Sequence, residues 1–171
     1  RLRPWLESPR HAKIGQNLKY DLHVLANHGI ALAGVRHDTL LQSYVLESGK
    51  DGVRGHDLGQ LAERHLGLAT IPYEALCGKG AGQIGFDQVA IEQASEYAAE
   101  DADLCLRLQQ RLYPQIAADA GLSRIYEDIE IPVRDILFRM ERTGVLIDAQ
   151  LLTQQSHEIG KRLLELEARA H

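Results

Sequence analysis

Most apolar positions in this chain recur every three or four residues, the spacing of a helix face, and only a few short runs could alternate as strands. Ala12–Gln16 is short and partly apolar, and reads as a strand running into a turn at Asn17. Leu22, Val24, Leu25 and His28 predict a short amphipathic helix over Tyr20–His28, stopped by Gly29. Ile30, Leu32 and Val35 place a second strand within Ile30–His37. Asp38 or Thr39 can cap a helix to Ser48 with Leu40, Leu41, Tyr44 and Val45 facing inward. A glycine-rich polar loop over Gly49–Gly55 follows. Asp57 then opens a helix through Leu61, Ala62, His65 and Leu66 that Gly67 ends.

The second half is more helical still. Leu68–Gly85, with Pro72 and several glycines, reads as a long loop. Asp87 is expected to cap a long helix to about Tyr113, bent or ended by Pro114, with a stripe of Ile91, Ala94, Ala98, Leu104, Leu108 and Leu112. Another helix is expected over Ser123–Arg142, interrupted near Pro132 and closed by Gly144. Val145–Ile147 suits a short strand, and Asp148 is placed to cap a last helix with Leu152, Ile159, Leu163 and Leu166 on one side. The pattern is that of a helix-rich α/β chain with too few strands to complete a sheet. A composition shift over Asp119–Ser123 marks the expected domain boundary.

Composition narrows the chemistry. With 171 residues, 44% hydrophobic, the chain can bury one ordinary core and a smaller appended element. A charged fraction of 25% is that of a folded protein, and a net charge of −5 argues against binding nucleic acid through general positive charge. It leaves open an acidic site that holds metal ions. Cys77 and Cys105 are far apart with no Cys-x-x-Cys pairing, as expected of reduced thiols in the cytoplasm. No apolar run is long enough to cross a bilayer, and Arg1–Trp5 lacks the apolar core of a signal peptide. A start without Met is expected of an excised fragment, though processing gives the same appearance. The histidines form no His-Glu-x-x-His, and His23 and His28 read as helix residues at the surface or its boundary. Gly78–Gly82 lacks the spacing of a phosphate-binding loop and reads as a mobile loop.

Two acidic residues stand where periodicity calls for apolar ones. Asp101 lies three residues before Leu104 and seven before Leu108, with Tyr97 one turn earlier on the same face. Asp21 precedes Val24 and Leu25 by three and four, and so is expected to point toward the interior or a cleft. An ionised carboxylate so placed must be paired, hydrogen-bonded or bound to a cation. A structural ion pair or a cap is one reading, and divalent metal ions held by oxygen ligands are the other.

These residues sit in segments that resemble a known family. Asn17-Leu18-Lys19-Tyr20-Asp21 resembles the second exonuclease motif of the bacterial-type family A DNA polymerases, and Tyr97-Ala98-Ala99-Glu100-Asp101 the third, in its Tyr-bearing form. His37-Asp38-Thr39, Leu61-Ala62-Glu63-Arg64 and Met140–Asp148 resemble further segments in the family's order, the last where the polymerase domain begins. The resemblance implies a ribonuclease H-like 3′–5′ exonuclease fold over residues 1–120, truncated and helix-rich. Residues 121–171 would begin the polymerase domain and lead into its thumb. It implies Asp101 as a metal ligand, Asp21 as a second ligand directly or through water, and Tyr97 as the orienter of the attacking water. Asn17 and Tyr73 would contact the substrate, while Arg54 is offset by one residue from the family's substrate-contacting arginine and is left unassigned. Mg²⁺ or Mn²⁺ is the implied cofactor and DNA the implied partner, as a single-stranded 3′ end here and a duplex in the parent polymerase.

One departure stands out. The family's first motif, Asp-x-Glu, should lie several tens of residues before Asn17, and no residue of the sixteen before it forms that motif. The chain alone is therefore expected to be inactive, and to dimerise, be only marginally stable, or come from something larger, because missing strands would bare a sheet edge. A decayed exonuclease domain kept as a spacer and a ribonuclease D-like exoribonuclease are the alternatives.

Overall fold

The computed structural model describes residues 1–50, 52–53 and 55–170. In chain order these form α1 (Arg3–Leu6), β1 (Lys13–Gly15), α2 (Leu18–Asn27), β2 (Val35–Asp38), α3 (Thr39–Glu47) and α4 (Leu58–Leu66). Then come α5 (Tyr73–Cys77), α6 (Ile91–Ala117), α7 (Ala120–Arg124), α8 (Ile131–Thr143) and α9 (Ala149–Ala170). The fold is helix-rich α/β, divided into compact units of Arg1–Arg139 and Met140–His171.

In the first unit β1 and β2 pair in parallel, Gly15 opposite Asp38, with α2 as the crossover between them. Both helices that leave the strand ends start on one carboxylate. Asp38 Oδ1 accepts from the amides of Asn17 (2.9 Å) and Leu40 (3.0 Å), and its Oδ2 from that of Leu18 (2.8 Å). A single side chain thus satisfies orphan donors of α2 and α3, holding the two N-termini together. The Asp38 amide in turn donates to the hydroxyl of buried Tyr126 at 3.0 Å.

The core lies where α3 and α4 pack on α6, around Leu61, Leu108 and Leu112, with Leu46, Leu58 and Leu66 against them. Beside it Glu47 is nearly buried and takes 2.8 and 3.3 Å bonds from Arg64, while His65 Nε2 stands 3.0 Å away. Burial raises the carboxyl pKa, but the Arg64 bonds and the neighbouring His65 outweigh it and hold Glu47 below its ordinary value.

Several predicted boundaries shift for physical reasons. The second strand begins only at Val35, because Ile30–Gly34 is irregular and Gly34 turns at φ 75°. The expected loop Leu68–Gly85 contains α5 and a 3₁₀ turn at Gly80–Gly82, closed by the Ile84 amide on the Cys77 carbonyl at 2.9 Å. Asp87 lies in a 3₁₀ turn, so α6 starts uncapped by a side chain at Ala90, and it runs through Pro114 to Ala117. Pro114 is accommodated in the last turns, four residues before the C-cap Ala118, whose amide bonds the Pro114 carbonyl. The α6 stripe starts later than predicted: Ile91 is exposed, whereas Leu104, Leu108, Leu112 and Ile116 are buried.

Asp119 caps α7 with bonds from the Gly121 and Leu122 amides, and winding then continues through Ile125–Glu130 in π form into α8. The expected break near Pro132 is this widened turn. It ends two residues before the proline, giving room to a residue that cannot donate to a carbonyl one turn back.

In the second unit, Gly144 at φ 74° closes α8 through its amide on Met140. Val145–Ile147 has no regular structure, so the strand predicted there is absent among the described residues. Asp148 does cap α9, accepting from the Leu151 amide at 3.0 Å. No described residue of this unit is buried, and Leu152, Ile159, Leu163 and Leu166 stay exposed along α9.

Candidate active site

Tyr97, Asp101 and Cys105 occupy successive turns on one side of α6. Asp101 accepts a hydrogen bond from Tyr97, yet desolvation and the nearby Glu100 keep its carboxyl pKa above the ordinary value. Desolvation and the Asp101 charge raise the Tyr97 phenol in turn, so it is neutral at pH 7. Cys105 is nearly buried, its thiol pushed up to about 12 by desolvation first and then by Asp101, Asp38 and Asp21.

Asp21 on α2 and Asp101 on α6 both disfavour the Cys105 thiolate through their charge. Asp21 is not inside the protein. Val24 is exposed and the buried stripe of α2 is Leu18 and Leu22, which leaves Asp21 at the edge of that face. Desolvation on its inner side and the Asp38 charge still raise its pKa.

Tyr73, Tyr97 and Asp101 line one cleft of about 480 Å³ with Asp57, Leu58, Gly59 and Thr70–Pro72. Above it, the rings of Tyr73, Phe86 and Tyr97 form a triangle with centroids 5.8–6.4 Å apart. Tyr73 and Phe86 remain part-exposed, giving flat apolar faces beside the carboxylates. On the wall of the cleft the Glu100 carboxylate accepts the Ile71 amide at 2.9 Å.

The sequence-predicted residues do not all meet. Asn17 is the only described non-glycine residue at positive φ (55°), which sets the sharp entry into α2. It lines a separate pocket of about 240 Å³ with Lys19, Asp38 and Arg134. Arg54 lies outside the described residues. Sequence reasoning missed Phe86, a ring within an apparent loop, and it missed Glu100, masked by the aspartate beside it. It saw Asp38 as a cap for one helix only, because the second set of amides comes from about twenty residues earlier in the chain.

Oxygen ligands suit a hard divalent cation, and Asp21 and Asp101 are carboxylates whose raised pKa values a cation would relieve. They fit in kind but not in number: among the described residues no group of three or more His, Cys, Asp and Glu side chains could hold a metal ion. No described helix is long and apolar enough to cross a membrane.

Comparison with known proteins bears on this cleft. A family model described as 3′–5′ exonuclease, for DNA polymerase A, matches residues 1–117. DNA polymerase I of Pseudomonas aeruginosa is 50% identical over 99% of the chain, and that of Rhizobium leguminosarum 42% identical over 98%. The chain spans 18% and 16% of their lengths, less than a fifth. Among solved structures, the POL domain of Pol1 from M. smegmatis, in complex with DNA primer-template and dNTP, superposes with a TM-score of 0.71. It is 27% identical, and the match covers 96% of this chain and 24% of that one. With a family model spanning both α2 and the Tyr97–Asp101 face of α6, the chain belongs to the 3′–5′ exonuclease family of the family A DNA polymerases.

Proposed function

We propose that this chain is part of a DNA polymerase I and forms the wall of its proofreading site, where Asp21, Tyr97 and Asp101 act on the single-stranded 3′ end of DNA. The observation that carries this reading is the cleft that Tyr97 and Asp101 line together with Tyr73, within the segment that the 3′–5′ exonuclease family model matches. In this reading residues 1–120 belong to a ribonuclease H-like exonuclease domain. Residues 121–171 begin the polymerase domain and lead toward the thumb, in a cytoplasmic enzyme of replication and repair that also grips duplex DNA.

Asp101 and Asp21 would hold Mg²⁺ or Mn²⁺ together with the carboxylates of an Asp-x-Glu strand. When bound, a pair of such ions lowers the pKa of water and stabilises the leaving oxygen. Tyr97 accomplishes its part without titrating: its neutral hydroxyl, fixed one turn from Asp101, can hold the attacking water in line. Tyr73 offers a ring for the terminal base, since stacking is tolerant of sequence. Asn17, in its separate pocket, would position the terminal nucleotide through its side chain.

On this reading the chain alone is inactive. The test compares it with a version extended upstream through an Asp-x-Glu strand, using single-stranded DNA and RNA oligonucleotides. Expected is Mg²⁺-dependent removal of 3′ nucleotides from DNA by the extended form only, lowered about 100-fold or more by Asp101→Ala. Inactivity of the extended form would favour a decayed spacer, and preference for RNA would favour an exoribonuclease. Activity in the short chain that Asp101→Ala abolishes would contradict the predicted inactivity.

A further inference from the structure

We propose that Glu100 is a positioning residue: its carboxylate clamps Ile71 to α6 and thereby sets Tyr73 against Tyr97 and Asp101 across the cleft. The inference rests on the nucleic-acid reading of that cleft and deepens it. Gly67 ends α4 in a left-handed turn, and Leu68–Pro72 then crosses to α5 without regular structure. A segment of that kind has little to fix its height above α6. Within it the Ile71 amide donates to Glu100 Oε2 at 2.9 Å, a charge-assisted bond in a part-buried place. Pro72, the next residue, cannot donate, and its extended backbone is the N-cap of α5, so Tyr73 lies two residues from the clamp on a stiff connection.

The clamp and the chemistry share one helix. Glu100 adjoins Asp101 in sequence, but the two side chains diverge by the roughly 100° that separates helical neighbours. One turns to the crossing segment and the other to Tyr97. Any shift of α6 therefore moves both sides of the cleft together. The Phe86 ring lies near both tyrosines, its centroid 6.2 Å from that of Tyr73 and 5.8 Å from that of Tyr97. Glu100 need not touch substrate. It acts through Tyr73.

The test uses the 171-residue chain, its Glu100→Ala and Glu100→Gln variants, and a short oligodeoxythymidylate carrying 2-aminopurine at its 3′ end. Amide exchange at Ile71 should quicken about tenfold or more in Glu100→Ala, while amides of Leu104–Leu112 keep their protection. Fluorescence quenching of the bound 2-aminopurine should fall at least about twofold as Tyr73 loses its place. Glu100→Gln should restore both, since its amide oxygen can accept the same bond. Unchanged exchange at Ile71 in Glu100→Ala, or a Gln variant as impaired as the Ala variant, would overturn the clamp. If the unsubstituted chain fails to quench the probe while Ile71 responds as expected, the clamp stands and the nucleic-acid reading falls.

Discussion

Two regions of the first unit treat their carboxylates in opposite ways. At the strand ends, Asp38 is 2% exposed and receives amide bonds from Asn17, Leu18 and Leu40, with Leu41 adding to them. Burial still raises its pKa, but each oxygen has work to do in holding α2 and α3. Along α6, Asp101 has the Tyr97 hydroxyl, no capping role and an open cleft in front of it. Asp21, exposed on α2, also has a raised pKa, from desolvation and the Asp38 charge. A carboxylate that serves the fold is surrounded by donors, whereas one available for a ligand is left partly desolvated and under-bonded.

The largest effect that would sharpen this contrast is on stability. Asp38→Ala should lower the free energy of unfolding by about 3 kcal/mol in urea denaturation, because two helix N-termini lose their acceptor at once. Asp38→Asn, which keeps one oxygen, should recover about half. Next, Tyr126→Phe removes the acceptor of the Asp38 amide and of Gln42, and should cost about 1–2 kcal/mol by the same measurement. Asp101→Asn should change stability at pH 7 by no more than about 0.5 kcal/mol. A cost as large as that of Asp38→Ala would make Asp101 a structural residue.

The smallest effect is a pH dependence. The Asp101 pKa is raised in the fold, so between its ordinary value of 3.8 and the raised one the folded state binds more protons than the unfolded. Its contribution therefore becomes less favourable as pH rises through that window, and more favourable as pH falls. Subtracting the Asp101→Asn curve from the wild-type curve should show a stability gain on acidification from neutral pH. Glu47, with a lowered pKa, contributes in the opposite sense: its stabilisation is present above 4.5 and is lost as pH falls through the depressed value. Glu47→Gln should flatten that loss.

Much of this was legible in the residues themselves. The caps at Asp38, Asp57 and Asp148 and the stop at Gly67 followed from local chemistry, and the structure has each of them. Tyr97 and Asp101 could be put on one helix face because their spacing is a single turn. What failed depended on tertiary context. The early stripe of α6 had the right period but no neighbouring element to cover Ile91, and Val145–Ile147 had strand-like side chains but no pairing edge. Of the two placements open to Asp21, interior or cleft, the interior is excluded because Val24 is exposed and Leu18 and Leu22 form the buried stripe of α2. The triangle of Tyr73, Phe86 and Tyr97 joins three separate segments, and nothing local announces it.

The central claim is that Asp21 and Asp101 serve a common cation-binding neighbourhood, and paramagnetic Mn²⁺ tests it directly. Titrating Mn²⁺ into the isotope-labelled chain should broaden the amides around Asp21 and those around Asp101 over the same concentration range, with Asp101→Asn weakening both. Broadening of one set without the other, or a response at Asp21 that ignores the Asp101 substitution, would mean that the two carboxylates lie on unrelated surfaces.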